Sequence, residues 1–194
     1  MAVNRESEYL HGIPMTDEMF EHVIGMESPY RYELIDGVAY DMTGSSPEHG
    51  TIAMNISLLL KQQSRKCSSC RVYQDQYVAI PGKPSVVPDV VLTCDLSDWD
   101  KSKRLKPFKI QCPLIVVEVR SPSTERYDRT EKFARYQCCS TLEVYILVSQ
   151  DEPHVEVYRR ATEWKQELFL LDQVIKLDQL DLELPLAMIY EDVF

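Results

Sequence analysis

The segment from Pro113 to Pro122 constrains the fold more than any other part of the chain. Its sequence, PLIVVEVRSP, is a nearly continuous apolar run, typical of a β-strand buried on both faces. Glu118 lies near the end of this run, where a carboxylate is costly unless it is paired, protonated or bound to a metal. Asp89 opens a second apolar strand directly after Pro88. Two acids at the ends of two apolar strands predict one metal site.

The length of the chain sets the expected organisation. A chain of 194 residues predicts a single domain with a substantial core, here residues 15–194 after an N-terminal arm, residues 1–14. No apolar run approaches the roughly 18 residues that cross a bilayer, so no membrane association is expected. The polar, acidic N-terminus does not resemble a signal peptide. We therefore expect a cytoplasmic protein whose six cysteines remain thiols.

The charge distribution bears on nucleic-acid binding. A formal net charge of −10 repels polyanions over the general surface, so binding would need bound cations or a local basic patch. Such a patch exists between the two acid-bearing strands, as a cluster of five cations: Lys101, Lys103, Arg104, Lys106 and Lys109. The cluster fits either a solvated loop or a loop that contacts phosphates beside the site.

The order of predicted elements indicates an α/β or α+β fold with a mixed central sheet flanked by helices. Helices are expected after the caps Thr16, Ser46 and Thr124, and Asp36-Gly37 predicts a tight hairpin. The other predicted strands are 71–80, 86–93, 142–148, 155–159, 164–171 and 174–177. Strands between Val155 and Leu177 could leave an open sheet edge, so we expect a homodimer.

Two further residues complete the expected site. Glu33 lies on a hairpin strand, and Lys132 lies on the helix that follows the Glu118 strand. Mg²⁺ prefers oxygen ligands and retains several waters, and Mn²⁺ uses the same ligands. A nearby lysine can stabilise developing negative charge or orient an attacking water. Simpler interpretations remain open, namely that Lys132 only pairs with Asp128 along the helix and that Glu118 only pairs with Arg120.

Several motifs together resemble the Uma2 (DUF820) family of the PD-(D/E)xK nuclease superfamily, in its cyanobacterial form. The matching segments are YELIDG at residues 32–37, SPEHG at 46–50, PDV at 88–90, VEVRSPS at 117–123, KFARY at 132–136, EVYILV at 143–148 and LPLAMIY at 184–190. The resemblance extends from about residue 14 to the end of the chain. It implies a restriction-endonuclease-like core with a divalent-metal site.

The resemblance also implies roles for individual residues. Asp89 and Glu118 would hold the metal, and Glu33 would be an additional upstream acid. The superfamily's lysine normally lies two residues after the strand acid, but Arg120 occupies that position here. Lys132 on the next helix is therefore the candidate lysine, and we expect its Nζ to lie at hydrogen-bonding or one-water distance from Glu118.

Three residues could be accessory to this site. His49 lies in the first turn of a helix, where a neutral ring without a role in the site is the usual case. Arg120 lies on the same strand face as Glu118. Tyr136 shares a helical face with Lys132, although a core position would explain it as well.

The cysteine spacing raises a separate possibility. Cys67 and Cys70 have the spacing of a zinc knuckle, but a structural zinc site usually needs two spaced pairs. Adjacent Cys138 and Cys139 make a poor second pair. The sequence thus favours an ordinary connector at Cys67–Cys70.

The most specific function that the sequence supports is a Mg²⁺- or Mn²⁺-dependent endonuclease that hydrolyses phosphodiester bonds of nucleic acid, with DNA favoured. Its catalytic residues would be Glu33, Asp89, Glu118 and Lys132. The alternative is a degenerate nuclease fold that binds nucleic acid or protein without catalysis, because the usual lysine is displaced. A purely structural dimer without metal affinity is a third interpretation.

Overall fold

The computed structural model describes residues 10–26, 30–42, 44–100, 108–121 and 124–194. Within these ranges the α-helices are α1 (Asp17–Ile24), α2 (Pro47–Gln63), α3 (Glu125–Tyr127), α4 (Phe133–Gln137) and α5 (Leu186–Ile189). The strands are β1 (Ile13–Pro14), β2 (Tyr32–Ile35), β3 (Val38–Asp41), β4 (Arg71–Gln74), β5 (Val78–Ile80), β6 (Lys83–Val86), β7 (Val90–Thr93), β8 (Pro113–Arg120), β9 (Val144–Ser149), β10 (His154–Arg159), β11 (Gln166–Leu170), β12 (Val174–Leu177) and β13 (Leu182–Pro185). None of the helices so described is both long and apolar enough to cross a bilayer.

A six-stranded sheet in the order β11-β10-β9-β8-β7-β4 forms the centre of the molecule. Strands β8 and β9 are parallel and the other neighbours are antiparallel, so the predicted mixed sheet flanked by helices is confirmed. The strand that carries Glu118 lies inside the sheet, with Val117 opposite Val90 on one side and Ile146 on the other. This central position explains its continuous apolar sequence.

The two faces of the sheet are covered by different elements. Residues such as Ile115 and Val117 pack against α2, the β12–β13 hairpin and α5. Val116 and Tyr145 point to the opposite face, where α4, β5 and β6 cover them. Side chains alternate between faces along a strand, so Glu118 shares the second face with Val116 and points toward the segment that carries Lys132.

A small three-stranded sheet, β1-β3-β2, stands beside the central sheet. The predicted Asp36-Gly37 hairpin joins β2 to β3, and both turn residues have positive φ angles of 49° and 75°, as a tight turn of this type requires. The last residues of the predicted N-terminal arm form β1, which pairs with β3. This small sheet carries Glu33 on β2.

Two predicted strands are wrong in length, because each is broken in the middle. Residues 71–80 form β4 and β5, separated by Asp75 in a left-handed conformation with φ 50°. Residues 86–93 divide between β6 and β7 at Pro88, which has no N–H to donate to a sheet. The helix predicted after Thr124 is also irregular, because a π-helical turn, Asp128–Lys132, separates α3 from α4.

Candidate active site

Glu118 is enclosed by protein on the face of β8 that points to α4. Its side chain is 3% exposed. Oε2 accepts a hydrogen bond from Lys132 Nζ at 3.0 Å, and Oε1 accepts one from the Tyr136 hydroxyl at 2.8 Å. Burial raises the pKa of Glu118 well above its ordinary value, and the negative charges of Asp89, Asp128 and Glu33 add to that rise while Lys132 opposes it. A cation at this position is therefore strongly favoured.

Lys132 is the cation at the centre of the site, with a side chain only 2% exposed. Its Nζ lies 2.9 Å from Glu33 Oε1 and 3.9 Å from Asp128 Oδ1, and it donates to the Val87 carbonyl at 3.0 Å. Burial lowers the pKa of Lys132, but the charges of Glu118, Glu33 and Asp128 outweigh it and raise the pKa well above the ordinary value. The expected approach of Lys132 to Glu118 is thus confirmed, and a solvent-facing lysine paired only with Asp128 is excluded.

Glu33 reaches the same lysine from the small sheet. Its side chain is fully buried, and Oε1 accepts a hydrogen bond from the Val87 N–H at 2.6 Å. Its other oxygen, Oε2, has no hydrogen-bond partner among the described residues. A buried carboxylate oxygen without a donor is costly, so this atom can accept a further donor or cation.

Asp89 lies at the more accessible edge of the site, with a side chain 19% exposed. Because Val90 is opposite Val117, Asp89 is beside Glu118 across the two strands. Asp89 Oδ2 accepts the Val119 N–H at 2.6 Å, and Oδ1 lies 2.9 Å from His49 Nε2. These contacts fix the orientation of the carboxylate.

The N-terminus of α2 places His49 against Asp89. Ser46 caps this helix, since its Oγ accepts the His49 N–H at 3.2 Å, as expected for an N-cap. Burial lowers the pKa of His49, but the hydrogen bond and charge of Asp89, with Asp75 behind it, raise the pKa overall. His49, which was expected as an accessory residue, therefore lies beside Asp89, a predicted metal ligand.

Two acids near the site were not predicted as members of it, namely Asp75 and Asp128. Burial and the charge of Asp89 raise the pKa of Asp75. Burial raises the pKa of Asp128 to about 6, although Lys132 opposes the rise. The four-residue spacing from Asp128 to Lys132 was a usable signal, whereas nothing in the sequence distinguishes Asp75 from an ordinary turn residue.

A π-helical turn carries Asp128 and Lys132, whose side chains are both buried. This wider turn is rare and is found most often at functional sites. Here it directs Asp128 and Lys132 to the interior, where both side chains are at most 4% exposed. The sequence predicted an uninterrupted α-helix here. The structure instead has the wider turn between α3 and α4.

The donor set fits a hard divalent cation. Glu33, Glu118 and Asp128 place three carboxylates around Lys132. Asp89 lies beside Glu118 with His49 at the edge, so negative charge is in excess. Asp89 and Glu118 each keep lone pairs beyond the hydrogen bonds they accept. Among the described residues, these oxygens do not come within 4.8 Å of one another as a group of three, so a cation held here would need waters to complete its coordination.

Of the possible accessory residues, Tyr136 contacts Glu118 and Arg120 does not. Tyr136 is fully buried and donates to Glu118, so it belongs to the site. Arg120 instead forms ion pairs with Glu125 at 2.7 Å and Glu156 at 3.4 Å. The possibility that Arg120 alone neutralises Glu118 is therefore not realised, because Lys132 has that position.

The basic cluster is described only at its last member. Lys101, Lys103, Arg104 and Lys106 lie outside the described residues. Lys109 is half-buried and forms an ion pair with Glu21 on α1. A role for Lys109 in phosphate contact would require that pair to open.

The cysteines differ from the expectation of six thiols, because Cys70 and Cys94 form a disulfide. Cys67, Cys112, Cys138 and Cys139 are free thiols. Hydrogen bonds from the Ser69 side chain and from the N–H groups of Ser69 and Cys70 lower the pKa of the Cys67 thiol. The connector predicted at Cys67–Cys70 thus lies beside Cys94, and the sequence analysis did not predict that contact.

Comparison with known proteins gives a consistent result. The Uma2 family model, described as "Putative restriction endonuclease", matches residues 17–188. The uncharacterized protein slr1290 of Synechocystis sp. is 34% identical over 132 residues, which cover 67% of this chain and 66% of that protein, slightly under two thirds of its length. A second uncharacterized protein of that organism, sll1609, is 25% identical over 130 residues, covering 66% of this chain and 72% of the relative.

A solved structure shares the fold. The crystal structure of a protein from Anabaena variabilis, described as a putative nuclease belonging to DUF820, superposes with a TM-score of 0.72. The match covers 93% of this chain and all of the other, at 19% sequence identity. At that identity the likeness concerns the arrangement of strands and helices rather than particular side chains.

Proposed function

We propose, from the premise that this chain belongs to the Uma2 family, that it is a Mg²⁺- or Mn²⁺-dependent endonuclease that hydrolyses phosphodiester bonds of nucleic acid, with DNA favoured. The observation that carries this proposal is the excess of carboxylates around Lys132. Glu33, Glu118 and Asp128 all lie within 4 Å of its Nζ. Such an excess is expensive to bury unless a further cation is bound or a carboxylate is protonated.

Asp89 and Glu118 are the residues that would hold the cation, because they lie side by side at the ends of β7 and β8. A bound divalent cation would supply positive charge that stabilises a phosphoryl group and makes a water easier to deprotonate. Asp89 is the more exposed of the two, so it faces the direction from which substrate arrives. The Val119 N–H and His49 hold its carboxylate in place.

Lys132 has the properties needed to act on a phosphate or a water. Its pKa is raised, so it keeps its proton and acts as a donor rather than a base. Glu33 on the small sheet and Glu118 on the central sheet hold the Lys132 ammonium, with oxygens 2.9 and 3.0 Å from Nζ. This positioning is the kind of fixed charge that stabilises developing negative charge in a reaction.

Nucleic acid is the proposed partner in spite of the formal net charge of −10. A divalent cation at the site and the cluster Lys101, Lys103, Arg104, Lys106 and Lys109 would attract the phosphate backbone locally. Binding through few cations gives a modest dependence on salt. The cytoplasm is the proposed location.

A homodimer is proposed through the β11 edge of the central sheet. Strand β11 is an edge of the central sheet, and Leu168 and Leu170 on it are 54% and 55% exposed. An open apolar edge is prone to pair with another strand, and a second copy would supply the same edge. Light scattering should show twice the mass of the chain for the wild type and a monomer for Leu168→Glu.

A non-catalytic nuclease fold is the competing function, and one observation favours it. Both oxygens of Glu118 already accept hydrogen bonds, from Lys132 and Tyr136. In that case the site would be a stable buried network without turnover. The same fold would then bind nucleic acid or protein only.

A cleavage assay tests the proposal directly. Purified protein is incubated with duplex DNA, single-stranded DNA and RNA in the presence of Mg²⁺ or Mn²⁺. We expect metal-dependent cleavage by the wild type and by Asp172→Asn, an acid-to-amide control at an exposed turn. Asp89→Asn and Glu118→Gln should be inactive while remaining folded, and a wild type that cleaves none of these substrates would contradict the proposal.

A further inference from the structure

We propose that Cys67, Cys70 and Cys94 form a zinc site in the reduced protein, separate from the carboxylate site. The three sulfur atoms lie within 4.8 Å of one another. In the described part of the chain, no other group of three or more histidine, cysteine or acidic side chains brings its ligand atoms this close. This inference does not depend on the proposed nuclease function.

The sheet register brings the three cysteines together from distant parts of the sequence. Cys70 directly precedes β4 and Cys94 directly follows β7, and Arg71 is opposite Thr93 across these strands. Cys70 and Cys94 are therefore cross-strand neighbours. Cys67 lies three residues before Cys70 on a tight turn, closed by a hydrogen bond from the Cys70 N–H to the Cys67 carbonyl at 3.3 Å.

The turn that carries Cys67 and Cys70 is braced on both sides. Trp99 Nε1 donates to the Ser69 carbonyl at 2.8 Å. Arg71 donates to the carbonyls of Ser68 and Cys70 at 2.9 and 2.8 Å, and its guanidinium stacks on Trp99 at 4.3 Å from the ring centre. The ligands are thus preorganised, with a permanent cation next to a group that becomes anionic.

The donor atoms select the ion. Three thiolates favour a soft or borderline cation, of which Zn²⁺ is the common choice in proteins, whereas Mg²⁺ prefers oxygen. Three protein ligands leave one tetrahedral position for water. Cys112 does not belong to the group whose sulfurs lie within 4.8 Å of one another, and its thiol instead lies near Asp95 and Ser97.

The disulfide and the zinc site exclude each other, because they use the same sulfurs. A dithiol reductant would open the Cys70–Cys94 bond, giving two thiols and leaving the reductant as a cyclic disulfide. The three cysteines would then release three protons as their thiolates bind one Zn²⁺. In a reducing compartment the metal could therefore tie β4 to β7 in place of the disulfide.

The position of this site distinguishes it from the carboxylate site. Asp89 precedes β7 and Cys94 follows it, and five residues of strand span roughly 17 Å. The cysteine site therefore lies at the opposite end of β7 from Asp89, beside edge strand β4.

A cobalt titration tests the inference, since Co²⁺ bound to thiolates gives a charge-transfer absorption that oxygen ligands do not. The full chain is reduced with a dithiol, freed of it under anaerobic conditions, titrated with Co²⁺ and then with Zn²⁺. We expect one equivalent of Co²⁺ with the thiolate band, displaced by one equivalent of Zn²⁺. Untreated protein with the disulfide intact should give no band.

Variants locate the ligands. Cys67→Ser should lose the band while keeping the Cys70–Cys94 disulfide available, so its fold can be verified by circular dichroism before reduction. Cys112→Ser and Cys138→Ser are matched controls that should bind as the wild type does. Absence of the band in reduced wild type, or an unchanged band in Cys67→Ser, would overturn the proposal.

Discussion

Lys132 is in contact with three buried carboxylates, so replacing it with methionine should destabilise the protein strongly. The change keeps the length of the side chain and removes the charge and the donors to Glu33, Glu118 and the Val87 carbonyl. Breaking a buried ion pair by removing one partner costs about 3–5 kcal/mol. We expect a loss in that range at about pH 8, where the carboxylates are most ionised.

The loss should shrink as the pH falls. In Lys132→Met the pKa values of Glu118 and Asp128 lose their opposing cation and rise further above their already raised values. An acid whose pKa is higher in the folded state takes up a proton on folding, so stability increases as the pH falls through that pKa. The difference from wild type should therefore be smaller at about pH 5 than at about pH 8.

Urea unfolding followed by tryptophan fluorescence measures this difference. Lys165→Met, at an exposed lysine, is the matched control and should stay within about 0.5 kcal/mol of wild type. The double variant Lys132→Met with Glu118→Gln should recover part of the loss, because one uncompensated charge is gone. A loss under about 1 kcal/mol for Lys132→Met, or one that does not depend on pH, would refute the reasoning.

Two further predictions concern the other acids of the site. Asp128 has a folded pKa of about 6 against an ordinary 3.8, so wild type should lose up to roughly 3 kcal/mol as the pH rises through that window. Asp128→Asn should remove that part of the pH dependence, and an unchanged slope in urea unfolding would count against the assignment. Glu118→Gln, which removes a desolvated charge, should leave the stability of the metal-free protein unchanged or increased, and a large decrease in its melting temperature would mean that the Glu118 charge is needed by Lys132.

The sequence predicted those parts of the structure that depend on local chemistry. The buried strand with Glu118, the hairpin at Asp36-Gly37 and the cap at Ser46 are all present, because each is determined by residues near one another in the chain. The approach of Lys132 to Glu118 was also predictable, since the helix begins a few residues after the strand ends.

The remaining features depend on contacts between distant segments. The strand break at Asp75 depends on β5 leaving the central sheet to pair with β6, whereas the break at Pro88 could have been read from the proline itself. Cys94 joins Cys67 and Cys70 only through the pairing of β4 with β7. The π-helical turn Asp128–Lys132 likewise has no counterpart in the residue pattern.

Binding of Mn²⁺ measured by calorimetry tests the central claim most directly, namely that Asp89 and Glu118 hold a divalent cation. Mn²⁺ prefers oxygen ligands, so the cysteine cluster does not contribute to the measurement. The account predicts one bound Mn²⁺ per chain with an affinity on the order of millimolar or tighter, retained in Asp172→Asn and lost in Asp89→Asn. No binding by the wild type, or equal binding by Asp89→Asn, would contradict it.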